Sequence, residues 1–287
     1  MVTLDMIRKP VEGDLEAFEQ FIRQKFTADG TLLSEMLDYA LSARGKGIRP
    51  MTVLLSAALN APAGQRSGGL RTLLAATLVE MIHVASLIHD DVIDESDMRR
   101  GRASVNARWQ SRNAVVVGDY ILAKNMDLGL KSGQFDLVTH VCGAIATLCE
   151  GEILQNDKAN RQEMTRASYL DIIYKKTACL IGVSASAGAL AVGADFSENT
   201  EVIAALIHQV LFTGGNQLGG EQPGQKIQRD GVLNHEKQLV VQIDQLVKGR
   251  EAGVHIGNQL LIFFIKQGGK GAEERVFPGE IVVKGAL

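Results

Sequence analysis

Apolar residues recur every three or four positions through seven stretches between residues 13 and 195. They read DLEAFEQFIRQKF, LLSEMLDYALSA, RPMTVLLSAALNA, GGLRTLLAATLVEMIHVASLIHDDVID, AVVVGDYILAKNMDLGL, FDLVTHVCGAIATLCEGEILQND and ASYLDIIYKKTACLIGVSASAGALAVGA. Clusters of Gly, Pro, Asn or Ser separate them, so the pattern predicts long helices with no competing strand signal. Residues 72–89 and 177–193 are apolar around most of the helix circumference, which places them inside a bundle and not on its surface. The expectation is an all-α protein, a large helical bundle.

Beyond about residue 196 this pattern stops. FTGGNQLGGEQPGQKIQRDGVLNHEKQ is rich in Gly and Gln, GNQLLIFFIKQGGKGAEE holds one short apolar run, and RVFPGEIVVKGAL reads as a small strand or irregular tail. No linker or repeat divides the chain, so residues 1–287 are read as one domain, with 13–195 the helical part and 196–287 a divergent or disrupted part.

Composition narrows the classes. Of 287 residues, 46% are hydrophobic, as in a globular protein, and the formal charge of −3 gives nucleic-acid binding no support. Cys142, Cys149 and Cys179 have no metal-type spacing and read as reduced thiols in apolar surroundings. The first residues contain no signal-peptide core, and no apolar run reaches the roughly 18 residues of a membrane helix, so a cytoplasmic protein without a transmembrane segment is expected.

The chemistry gathers in SLIHDDVIDESDMRRGRASVN, residues 86–106. If the helix continues through Asp94, then Asp90 and Asp94 project from one face a turn apart with Asp91 beside them. Such carboxylates repel unless they share a cation, and hard oxygen ligands at this spacing suit Mg²⁺, which completes its shell with water and substrate phosphates. Taken alone, the spacing also fits a solvated helix end. The apolar VASLI before it and Arg99, Arg100 and Arg102 after it favour a receptor for a diphosphate with a hydrocarbon tail. A second cationic group, ARGKGIRP, holds Arg44, Lys46 and Arg49 among glycines, with Pro50 set to open a helix. YKKTACL adds Lys175, Lys176 and Thr177 in a helix that reads as buried, where a lysine needs a partner such as a phosphate.

GKGIRP, EMIHVASLIHDDVIDESDMRRGRASVN, GDYILAKN, EGEILQ and YKKTACLIGVSASAGAL, in this order, resemble the trans-isoprenyl diphosphate synthases of the polyprenyl synthetase family over roughly residues 13–195. The resemblance implies an isoprenoid-synthase bundle around a deep apolar cavity, with isopentenyl diphosphate and an allylic prenyl diphosphate as substrates. It implies Mg²⁺ on Asp90 and Asp94 with Asp91 in support, and Arg99, Lys176 and Thr177 at the allylic diphosphate. Lys46, Arg49, His83 and Arg100 are implied to hold the diphosphate of isopentenyl diphosphate. Glu152 and Gln155 match a GExxQ helix at the cavity mouth. Asp90, Asp91, Asp94 and Lys176 are the implied catalytic set. Ala85 and Ser86 occupy the turn that sets product length; their small size leaves depth and favours a medium- or long-chain product. A homodimer is implied, and a heteromer is possible.

The sequence also departs from the family pattern. Where relatives carry a second Asp-rich motif, this chain has Ile207, His208 and Leu211, and Gly47 replaces the middle Arg of GKRxRP. Three readings stay open: a synthase with a degraded or frame-disrupted C-terminal third, a non-catalytic or regulatory member beside an intact partner, or a prenyl-diphosphate-binding protein.

Overall fold

The structure, a computed structural model, describes residues 4–30, 32–42, 45–62 and 67–194. Arg44, Ile207, His208, Leu211 and the divergent part beyond residue 194 lie outside the described residues. The helices are α1 (Leu4–Arg8), α2 (Glu12–Lys25), α3 (Leu32–Ser42), α4 (Ile48–Asn60), α5 (Leu70–Ile93), α6 (Val105–Lys131), α7 (Phe135–Arg161), α8 (Arg166–Ile173) and α9 (Cys179–Ala191). A 3₁₀ turn, Lys9–Val11, links α1 to α2.

Helix α5 is the axis of the bundle and packs against α2, α4, α6, α7 and α9. Its apolar circumference has a direct consequence: Leu74, Leu78, Val79, Met81 and Ile82 are at most 2% exposed. Burying each such side chain contributes roughly 2 kcal/mol, so propensity alone is not what holds the helix. Helix α9 is lined by small residues, which lets α4 come close. A Cβ on Gly188 would stand 2.2 Å from the Val53 carbonyl oxygen, and Ser56 Oγ donates 2.6 Å to the Ala185 carbonyl across this seam. Asn125 of α6 similarly donates 2.8 Å to the Leu78 carbonyl of α5.

Three local features differ from the sequence expectation. Between α5 and α6 lies a hairpin, β1 (Met98–Arg99) with β2 (Arg102–Ala103), where no strand was expected. It is too short for alternation to register. Helix α6 begins at Val105, where Ser104 caps it by accepting from Ala107 N–H at 3.2 Å, and it kinks at Gln110, whose φ of +71° is not helical, before the stretch expected from Ala114. The final stretch is not one helix: Tyr174–Ala178 is a π-turn between α8 and α9. Such bulges concentrate at functional positions, and this one contains Lys176 and Thr177.

Among the described residues two helices, Leu70–Ile93 and Phe135–Arg161, are long and apolar enough to cross a membrane by length and composition, which the length of uninterrupted apolar runs does not reveal. The apolar window of the first is 72% buried, as befits a core helix, and that of the second 28%. Phe135 and Ile153 on α7 are not covered by the described residues. Cys149 is exposed and Cys142 and Cys179 are half-buried, so Cys149 departs from the expected core placement.

Candidate functional site

The last turns of α5 carry His83, Asp90, Asp91 and Asp94 because the helix runs unbroken from Leu70 to Ile93. Asp94 is its C-cap, with its N–H donating 2.8 Å to the Asp90 carbonyl, so the two carboxylates do stand one turn apart. Asp91 points another way. It is 2% exposed and accepts from Arg99 Nε at 2.7 Å to each oxygen and from Arg99 Nη2 at 2.6 Å. That ion pair joins the end of α5 to the first strand of the hairpin.

The π-turn brings Lys176 into the same region. Its ammonium donates to Glu152 Oε2 at 2.5 Å and to Gln155 Oε1 at 3.0 Å, both from α7. Sequence reasoning assigned that lysine a phosphate partner; the structure supplies a carboxylate and an amide. Lys175 pairs with Glu150 at 3.5 Å and Asp171 at 3.3 Å. Thr177 is half-buried in the turn. Burial pushes the Asp90 carboxyl above its ordinary range, Glu152 and Asp94 add to this by repulsion, and Lys176 and Arg99 oppose it.

That electrostatic balance tests the expected metal. Among the described residues, no three His, Cys, Asp or Glu side chains form a ready cage. Asp90 and Asp94, with Glu152 close by, instead form an open set of hard oxygen donors whose mutual repulsion a cation relieves. The residues fit a divalent ion that takes the rest of its shell from water and a diphosphate.

Two turns earlier along α5 the charge reverses. His83 is pushed down to about 3, first by burial and then by Arg49, Arg100 and Arg99. It is a neutral imidazole among guanidiniums. Arg49 lies in the first turn of α4, whose N-cap Gly47 takes φ +63°, a left-handed conformation in which the arginine of related motifs would be strained. Burial lowers the Arg49 pKa, the neighbouring Glu80 carboxylate raises it, and Arg100 lowers it further. Arg100 sits at the hairpin tip with φ +53°, and a Cβ on Gly45 would meet its guanidinium carbon at 2.6 Å. The GKG loop and the hairpin are thus in contact, although α4 and α5 both lie between them in the chain. Lys46 is exposed beside this contact.

Sequence reasoning missed Glu80 and Gly45 as site residues. Glu80 is 5% exposed, and an acid within the apolar run Leu73–Ile82 signals a charge partner. Gly45 carried no signal beyond flexibility. A small cavity of about 50 Å³ lies here, bounded by Tyr39, Glu80, His83, Leu87, Arg99 and Arg100. Ala85 is fully buried in the core, and Ser86 is half-buried with Oγ donating 2.9 Å to the His83 carbonyl.

The sequence model of the polyprenyl synthetase family matches residues 30–210. An octaprenyl diphosphate synthase of Haemophilus influenzae is 36% identical over 193 residues, covering 67% of this chain and 57% of that protein. A heptaprenyl diphosphate synthase component 2 of Bacillus subtilis is 38% identical over 210 residues, 73% of this chain and 56% of that protein. The chain thus spans less than three fifths of the length of these two relatives. A polyprenyl synthase of Caulobacter crescentus, solved with calcium and isoprenyl diphosphate, superposes with a TM-score of 0.66 at 26% identity over 76% of this chain and 66% of that one.

Proposed function

Since the chain belongs to the polyprenyl synthetase family, we propose that it condenses isopentenyl diphosphate with an allylic prenyl diphosphate to give a trans product one C5 unit longer. The observation that carries this reading is the reversal of charge along α5: a carboxylate pair at Asp90 and Asp94, and a cationic group around His83 two turns before it. Two diphosphates need two receptors, one metal-mediated and one made of cations. The bundle core beside them suits a prenyl tail.

In this reading Asp90 and Asp94 would hold Mg²⁺, which would supply charge neutralisation to the diphosphate leaving group. The allylic C–O bond breaks, the isopentenyl double bond attacks the resulting carbocation, and a proton leaves to the released pyrophosphate. Arg99, fixed by Asp91, faces the allylic diphosphate, and Lys176 is exchanged from Glu152 to a phosphate oxygen. Arg49, Arg100, Lys46 and His83 orient isopentenyl diphosphate. The apolar core excludes water from the cation. We assign a medium- or long-chain product on the small Ala85 and Ser86, within one domain acting as a homodimer.

The test is incubation of the purified chain with Mg²⁺, isopentenyl diphosphate and farnesyl diphosphate. Chain extension is expected, and Ala85→Phe should shorten the product ladder; an unchanged ladder removes the length assignment. Binding of both substrates without extension would overturn catalysis by this chain alone. It would favour a second reading, a non-catalytic or regulatory subunit. That reading is supported by Ile207, His208 and Leu211 at the second acidic motif and by the relative named as a component.

A further inference from the structure

We propose that Tyr39 is a positioning residue for the isopentenyl diphosphate receptor, acting through the hairpin that carries Arg100; the assignment rests on the function proposed above. Tyr39 sits on α3, 64 residues from its hydrogen-bond partner: its hydroxyl donates 2.7 Å to the carbonyl of Ala103, the last residue of β2. The ring is also a platform. Arg102 lies 4.4 Å and Arg108 4.7 Å from its centroid, and Trp109 meets it edge-on at 5.1 Å with an interplanar angle of 81°. Arg102 additionally donates 3.0 Å to Ser42 Oγ at the end of α3.

The hairpin needs such anchors. Its ladder has two residue pairs, Met98 with Ala103 and Arg99 with Arg102, and a ladder this short is not stable by itself. Arg100 and Gly101 at its tip both take positive φ, +53° and +77°. One side of the hairpin is fixed by Asp91 gripping Arg99, and the other by the Tyr39 hydroxyl and ring. Arg100 lies between these two fixed points. Its guanidinium rests over Gly45, in the segment that follows α3. Tyr39 therefore ties together both parts of that contact, the helix leading to Gly45 and the hairpin bearing Arg100. Tyr39 also lines the small cavity together with His83 and Arg100.

This arrangement separates the two receptors. Arg99 keeps its carboxylate partner whatever happens at position 39, whereas Arg100 loses a hairpin anchor. The experiment is calorimetric titration of the full chain with isopentenyl diphosphate and, separately, with farnesyl diphosphate plus Mg²⁺. Wild type, Tyr39→Phe and Tyr39→Leu are compared. Tyr39→Phe removes the hydroxyl bond and keeps the ring, so isopentenyl diphosphate binding is expected to weaken by about threefold. Tyr39→Leu removes the cation platform as well, and about tenfold weakening is expected. Farnesyl diphosphate affinity should stay at the wild-type value in both.

A general loss of structure would weaken both ligands together and would overturn the assignment. If Tyr39→Leu does not fold, the Phe variant decides, because its ring still fills the same space. A wild-type chain that binds isopentenyl diphosphate only as tightly as Tyr39→Phe does sinks the positioning role and leaves the proposed function standing. A wild-type chain that binds no isopentenyl diphosphate sinks both.

Discussion

The level of His83 on α5 and the level of Asp90, about 10 Å further along the same helix, are electrostatic opposites. Around His83 stand Arg49, Arg99 and Arg100 with Glu80 as the buried acid near Arg49. Around Asp90 stand Asp94 and Glu152, with Lys176 and Arg99 opposing them. The first level presents cations held in place by the fold, so it can take an anion directly. The second has a surplus of carboxylates and its lysine is already paired, so it takes an anion only when a cation joins it. In the proposed function, one helix with a reversed charge along its length keeps two diphosphates apart and in order.

The largest test of this contrast is at the acidic level. Asp90→Asn should weaken Mg²⁺-dependent farnesyl diphosphate binding by about 100-fold, as loss of a metal-bridging carboxylate does, while isopentenyl diphosphate binding keeps its wild-type value. The same variant should be more stable than wild type without divalent ions. The sign follows from the raised Asp90 pKa: above that raised value the folded protein holds a carboxylate it disfavours, and the amide removes the repulsion. Calorimetry and thermal melting with and without Mg²⁺ measure both effects. Equal loss of the two ligands would mean that the levels are not independent.

A smaller effect is expected at the cationic level from Gly45→Ala. The added Cβ would come within 2.6 Å of the Arg100 guanidinium, whose flexible end must move away. Isopentenyl diphosphate binding should fall by about tenfold, one charge-assisted contact, with little change in the melting midpoint. Unchanged affinity would separate Arg100 from that receptor.

The two levels were not equally legible in the sequence. Asp90 and Asp94 follow from helical spacing alone, since the run that buries Leu74 to Ile82 also fixes where their side chains emerge. The position of Arg100 does not follow from any period. It depends on a two-pair hairpin, on backbone with positive φ, and on a contact with Gly45 that chain order gives no reason to expect. Lys176 shows a third case: its helix was legible, but the π-turn, from which it meets Glu152 and Gln155 of α7, was not. Periodicity reports which face of an element is buried. It is silent on how side chains from distant elements neutralise one another.

The most subtle test of the contrast is pH. His83 is pushed down from its ordinary value to about 3, so in the folded protein it stays neutral where the unfolded chain binds a proton. Its contribution to stability is complete above about pH 6.5 and is lost as pH falls from there toward 3, because the unfolded state then gains the proton alone. Carboxylates titrate over the lower part of this window, so the informative quantity is the difference between wild type and His83→Gln. Between pH 7 and 4.5 the wild type should lose about 1 kcal/mol more than the variant, after allowing for solvent at the half-buried ring. Added salt should shrink that difference, since part of it comes from three arginine charges. A difference that stays flat with pH would mean that no cationic surround acts on His83, and the two levels of α5 would then differ only in the acids they carry.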